Sequence, residues 1–103
     1  MAIERTILKT KPYCKVTFTI PKEQGKDFKT AFLVGDFNLW NTKTHKMKKK
    51  RDNSFSIVLE LERGREYQFR YLADEEVWLN DSEADKYVPS PYGDSENCVI
   101  VIE

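Results

Sequence analysis

Alternation of apolar and polar residues with a period of two runs through most of this chain, and it constrains the fold more than any other feature. Over 54–62, Phe55, Ile57, Leu59 and Leu61 fall on one parity, while Ser54, Ser56, Glu60 and Glu62 fall on the other, with Val58 the exception. Tyr13–Ile20 repeats the pattern: Cys14, Val16, Phe18 and Ile20 share one side against Lys15, Thr17 and Thr19. Side chains of a strand alternate between its two faces, so each run supplies one apolar sheet face. No stretch of helical length carries apolar residues at i, i+3, i+4 and i+7 between proper caps, so the chain reads as nearly all β.

The remaining strands follow from punctuation. Pro21 ends the first clear strand, 22–29 is a polar loop, and the apolar continuity of 30–34 predicts a strand covered on both faces. Gly35-Asp36-Phe37-Asn38 is a turn after which Trp40 projects outward. A short strand over 45–49 has Met47 as its single anchor, and Asp52-Asn53 turns the chain again. Arg63-Gly64-Arg65 reads as a hairpin connection into 66–72, where Tyr67, Phe69 and Tyr71 share one face and Gln68, Arg70 and Leu72 the other. After the turn Ala73-Asp74-Glu75-Glu76 come a short strand at Val77-Trp78-Leu79, a long loop over 80–95 and a closing strand over 97–102. About seven short strands, with turns roughly every 8 to 12 residues, are the mark of a sandwich of two antiparallel sheets. Phe55, Ile57, Leu59, Tyr67, Phe69 and Val99 are its expected shared core, and 1–103 is read as a single domain.

Charge narrows the function. Seventeen basic and 17 acidic side chains give a formal net charge of zero, so no global field draws the protein to nucleic acid or an anionic membrane. The cluster Lys43, Lys46, Lys48, Lys49, Lys50 and Arg51 has no interleaved aromatics for stacking bases, and it reads as a solvated edge that resists edge-to-edge pairing. The segment Met1 to Arg5 lacks the apolar stretch of a secretory signal, no apolar run approaches the roughly 20 residues that span a bilayer, and the expected compartment is the cytoplasm. In that setting Cys14 and Cys98 are expected to be reduced and to pack as small hydrophobes. A lone His45, no metal-ligand spacing and no Gly-rich phosphate loop leave neither catalytic residues nor a cofactor or metal to propose. Glu75 and Glu76 sit in a turn, not across a cleft from each other as a glycosidase pair would.

One ordered set of residues carries a more specific signal. Val34-Gly35-Asp36-Phe37-Asn38-Leu39-Trp40 is followed by Met47, Phe55, Leu59, Leu61, the Gly64 turn, Tyr67-Gln68-Phe69-Arg70-Tyr71, Trp78, Asp81 and Asn97-Cys98-Val99-Ile100. Across 14–102 this series resembles the family-48 carbohydrate-binding modules, which include the N-terminal domains of isoamylases and the glycogen-binding domain of AMP-activated kinase beta subunits. The resemblance implies an immunoglobulin-like, early-set sandwich. It also implies a non-catalytic site for α-1,4-glucan, whether glycogen, starch or maltooligosaccharide. By resemblance two tryptophans that stack on glucose map to Trp40 and Trp78, a basic residue that bonds sugar hydroxyls maps to Arg70, and an assisting asparagine maps to Asn97. The first asparagine of the family's pair is Glu96 here. The family's apolar loop residue corresponds to Tyr92, which either stacks on sugar or packs against Pro89-Ser90-Pro91.

The chemistry agrees on independent grounds. Glucose presents apolar C–H faces and a polar rim, so its site needs flat aromatic platforms with fixed donors at their edges. Arg70 has the parity opposite to Tyr67, Phe69 and Tyr71, which puts it on the outer sheet surface. Taken alone, each tryptophan reads more readily as core, and Arg70 as a solvated residue near Glu60 or Glu62. The rival function is an early-set interaction module that docks to a separately encoded enzyme of glucan metabolism and binds no sugar. The exposure and coplanarity of Trp40 and Trp78 separate the two: exposed, they favour glucan, and buried, they favour the scaffold.

Overall fold

The computed structural model describes residues 2–91 and 95–103. It is an antiparallel two-sheet sandwich. One sheet has the order β1-β2-β6-β5, formed by Ala2–Ile7, Tyr13–Ile20, Phe55–Glu62 and Lys48–Lys49. The other has the order β4-β3-β7-β10-β9, formed by His45–Lys46, Ala31–Gly35, Arg65–Ala73, Glu96–Ile102 and Lys86–Pro89, with β8 (Val77–Leu79) also pairing with β7.

The alternating faces read from the sequence meet between these sheets. Val16, Phe18, Ile20, Phe55 and Leu61 of the first sheet pack against Leu33, Tyr67, Phe69, Tyr71, Cys98 and Ile100 of the second. Ile57 and Leu59 pack against this cluster half-buried. Phe18 and Phe69 bridge the two sheets edge to face, with ring centroids 5.2 Å apart, an arrangement that aromatic quadrupoles favour. Val99 is buried, but on the other face of β10; Cys98, Ile100 and Ile102 supply that strand's share of the inter-sheet cluster. Cys14 and Cys98 are both buried free thiols in different sheets.

Several local expectations change. Arg63-Gly64-Arg65 does not close a hairpin: β6 and β7 belong to different sheets, and Gly64, at φ +79°, carries the chain across the end of the sandwich. Its N–H donates to the Ile102 carbonyl at 2.6 Å. The short strand over 45–49 is split. β4 pairs with β3 and β5 with β6, so Met47, buried between them, switches the chain from one sheet to the other. The lysines around it lie exposed along the outer edges of both sheets.

Two strands leave no clear alternation in the sequence. β1 puts Arg5 at an inward position of the register, opposite Val16, and its guanidinium escapes to Asp85 at 2.6 Å, which hides the alternation. β9 lies inside the long loop over 80–95, ending at Pro89 and pairing, among the described residues, with β10 alone. The loop over 22–29 also begins with a single helical turn, Lys22–Gly25.

Candidate functional site

The site occupies the outer face of the second sheet. In the register of β7 with its neighbours, Arg70 lies opposite Val34, Gln68 opposite Val99, and Leu72 opposite Trp78. These pairs carry the parity opposite to the core pairs Leu33 with Tyr71 and Cys98 with Phe69. By the same alternation Asn97, next to Cys98, faces outward.

The turn after β3 delivers Trp40. A side chain at Gly35 would place its Cβ 2.5 Å from the Gln68 carbonyl oxygen and 2.8 Å from Phe69 Cβ, so only glycine lets the two strands approach there. Phe37 folds inward against Phe18 and Tyr67. The Asn38 amide ties the turn down, accepting from the Gly35 N–H at 3.1 Å and donating to the Leu33 carbonyl at 3.0 Å. Leu39 and Trp40 then adopt φ +55° and +58°, two consecutive left-handed residues that reverse the chain. The Trp40 N–H donates to the Gly35 carbonyl at 2.9 Å. The Asp36 carboxylate fixes the indole in place, accepting from Trp40 Nε1 at 2.8 Å with one oxygen and from the Gln68 N–H at 2.8 Å with the other.

Trp78 and Arg70 are held together. The guanidinium lies over the Trp78 ring, 5.5 Å from its centroid. Arg70 Nε donates to Asn80 Oδ1 at 2.8 Å, and Asn80 Nδ2 donates to the Glu96 carbonyl at 2.9 Å. A guanidinium retains further N–H donors when one is engaged, so a fixed Arg70 still presents donors beside an aromatic surface. Behind Asn80 the chain is anchored by Asp81, which is fully buried. Its Oδ2 accepts from the Tyr71 hydroxyl at 2.7 Å, and its N–H donates to Cys98 Sγ at 3.1 Å. Burial, reinforced by the Asp81 carboxylate, pushes the Tyr71 phenol well above its ordinary value, and burial likewise raises the Cys98 thiol. Both groups therefore stay protonated at neutral pH.

Between these two constructions runs an open groove of about 740 Å³. Trp40, Arg70, Trp78 and Asn97 all line it, as does Gln68. Trp78 is 40% exposed and Trp40 half-buried, and neither belongs to the inter-sheet core. Asn97 is more enclosed than expected: it is 5% exposed, and its Nδ2 donates to Gln68 Oε1 at 3.1 Å. Glu96, which the resemblance aligns with an asparagine, contributes its backbone carbonyl to Asn80. Tyr92 lies outside the described residues.

Leu39, Thr42, Ser90, Pro91 and Ser95 complete the lining, and nothing in the sequence marks them as groove residues. Gln68 was legible, because it shares the parity of Arg70. Asn80 gave no such signal, since its role depends on the turn that returns the chain beside β7. Among the described residues no cluster of His, Cys, Asp and Glu could hold a metal ion, and no helix is long and apolar enough to cross a membrane.

A family profile described as the glycogen recognition site of AMP-activated protein kinase matches residues 16–103. No curated protein matches the chain.

Proposed function

Because the chain belongs to the family of the glycogen recognition site of AMP-activated protein kinase, we propose that it is a non-catalytic module that binds α-1,4-glucan in the groove between Trp40 and Trp78. The observation that carries this reading is the convergence of Trp40, Arg70 and Trp78 on one open groove, each on a side chain that the inter-sheet core does not use. Aromatic surface suits the C–H faces of glucose, and the tethered guanidinium suits the hydroxyl rim. Asn97 and Gln68 supply amide groups along the floor. The docking-module reading expects both tryptophans buried in the core, and their positions argue against it. Glycogen, starch and maltooligosaccharides share the recognised unit. A glucan-metabolising enzyme working on the same polymer in the cytoplasm is the protein partner this function implies.

Aromatic contacts contribute roughly 0.5 to 1.5 kcal/mol each, and association entropy opposes them, so dissociation constants between about 10 μM and 1 mM are expected. Titration of maltoheptaose into the wild type, Trp40→Ala and Trp78→Ala tests this. Each truncation should weaken binding by about tenfold while the protein stays folded, because neither ring supports the core. No wild-type binding at several millimolar sugar, or unfolding of both variants, would defeat the glucan reading in favour of the scaffold.

A further inference from the structure

The turn that delivers Trp40 holds a second feature that the fold does not explain. Leu39 is 91% exposed, lines the groove beside Trp40, and has a left-handed backbone at φ +55°, ψ +36°. The conformation itself is required: the Leu39 N–H closes the turn on the Asp36 carbonyl at 3.3 Å, and Trp40 continues it. Leucine is not required. Asparagine and glycine enter the left-handed region at lower cost, and either would spare the surface an isolated apolar side chain. The folded chain thus carries both backbone strain and exposed hydrocarbon at a residue whose side chain serves no core contact. Strain of this kind persists only where the surrounding structure over-determines it, and it clusters at active sites and ligand clamps.

Resting on the reading that the groove takes glucan, we infer that Leu39 is a further sugar contact, packing its isobutyl group on a C–H face of the glucose chain at the Trp40 end of the site. It confers affinity by apolar burial alone and contributes no hydrogen bond. Its substitution therefore alters the heat-capacity change of binding, the marker of apolar area removed from water.

Calorimetric titration of maltoheptaose at several temperatures into the wild type, Leu39→Asn and Trp40→Ala tests this, with a thermal melt of each protein. Leu39→Asn should melt no lower than the wild type. It should bind about three- to tenfold more weakly, with a less negative heat-capacity change. Leu39→Gly, which suits the same backbone, should lose affinity equally and guards against an unforeseen effect of the amide. If Trp40→Ala loses binding while both Leu39 variants match the wild type in affinity and heat capacity, the inference is overturned and the groove reading stands. A wild type that does not bind maltoheptaose overturns both. A wild type that self-associates where Leu39→Asn does not, with equal sugar affinity, assigns the leucine to a second copy of the chain and also overturns the inference.

Discussion

Replacing Asn80 with alanine separates the role of holding Arg70 from the role of touching sugar. The side chain makes two hydrogen bonds, accepting from Arg70 Nε at 2.8 Å and donating to the Glu96 carbonyl at 2.9 Å. Both are near the surface, so their loss should cost the fold about 1 kcal/mol, and a domain of this size should melt roughly 4–8 °C lower while remaining folded. Binding suffers by another route. On the glucan reading the guanidinium, lying over Trp78 and tethered to Asn80, is ordered before sugar arrives. Without the tether, sugar must order it, and immobilising such a side chain costs about 0.5–1.5 kcal/mol, or about two- to thirteen-fold in Kd. Calorimetry on the wild type, Arg70→Ala, Asn80→Ala and the double variant reads this directly. Asn80→Ala should weaken maltoheptaose binding in the wild-type background and have no further effect once Arg70 is gone. Asn80→Asp, which keeps an acceptor for Nε, should restore most of the affinity. Equal losses in the two backgrounds, or full affinity in Asn80→Ala, would refute the idea that Arg70 is pre-ordered through this residue.

Gly35→Ala should destabilise the protein by about 2–3 kcal/mol and lower its melting point by roughly 10–20 °C, because the new Cβ meets the Gln68 carbonyl oxygen at 2.5 Å and strand β7 cannot yield locally; an unchanged melt would show that the strands separate freely. Tyr71→Phe removes the hydroxyl that donates to the buried Asp81 carboxylate and should cost about 2–3 kcal/mol in urea unfolding, since a buried acceptor is left unmatched; a wild-type midpoint would mean that the carboxylate finds another donor. The Asp74 carboxylate accepts from the N–H groups of Thr30 and Lys29, bonds that hold it below its ordinary value of 3.8. A depressed folded value contributes stability above the unfolded value and loses it as pH falls through the folded one. The urea midpoint should therefore drop below about pH 4, less steeply in Asp74→Asn, and identical pH slopes would contradict this.

The alternation at 54–62, at 66–72 and along Tyr13–Ile20 was enough to define the inward faces, because a strand's side chains obey a strict period of two wherever one face is buried. The same rule puts Arg70 on the outer face from sequence alone, and the residues around Gly35 and Trp40 carry the family resemblance. The rule failed where a long side chain could leave the pattern: Arg5 occupies an inward register position and reaches Asp85, so β1 did not read as a strand. Sheet membership was also illegible at 63–65 and at Met47, since a turn between two alternating runs looks the same whether the runs pair or lie in opposite sheets. The groove itself belongs to tertiary structure alone. Trp40 comes from a left-handed turn, Arg70 from the middle of a strand, and Asn80 from beyond the next turn. They meet because β3, β7 and β8 hydrogen-bond side by side, and contacts made across strands leave no trace in the local order of residues.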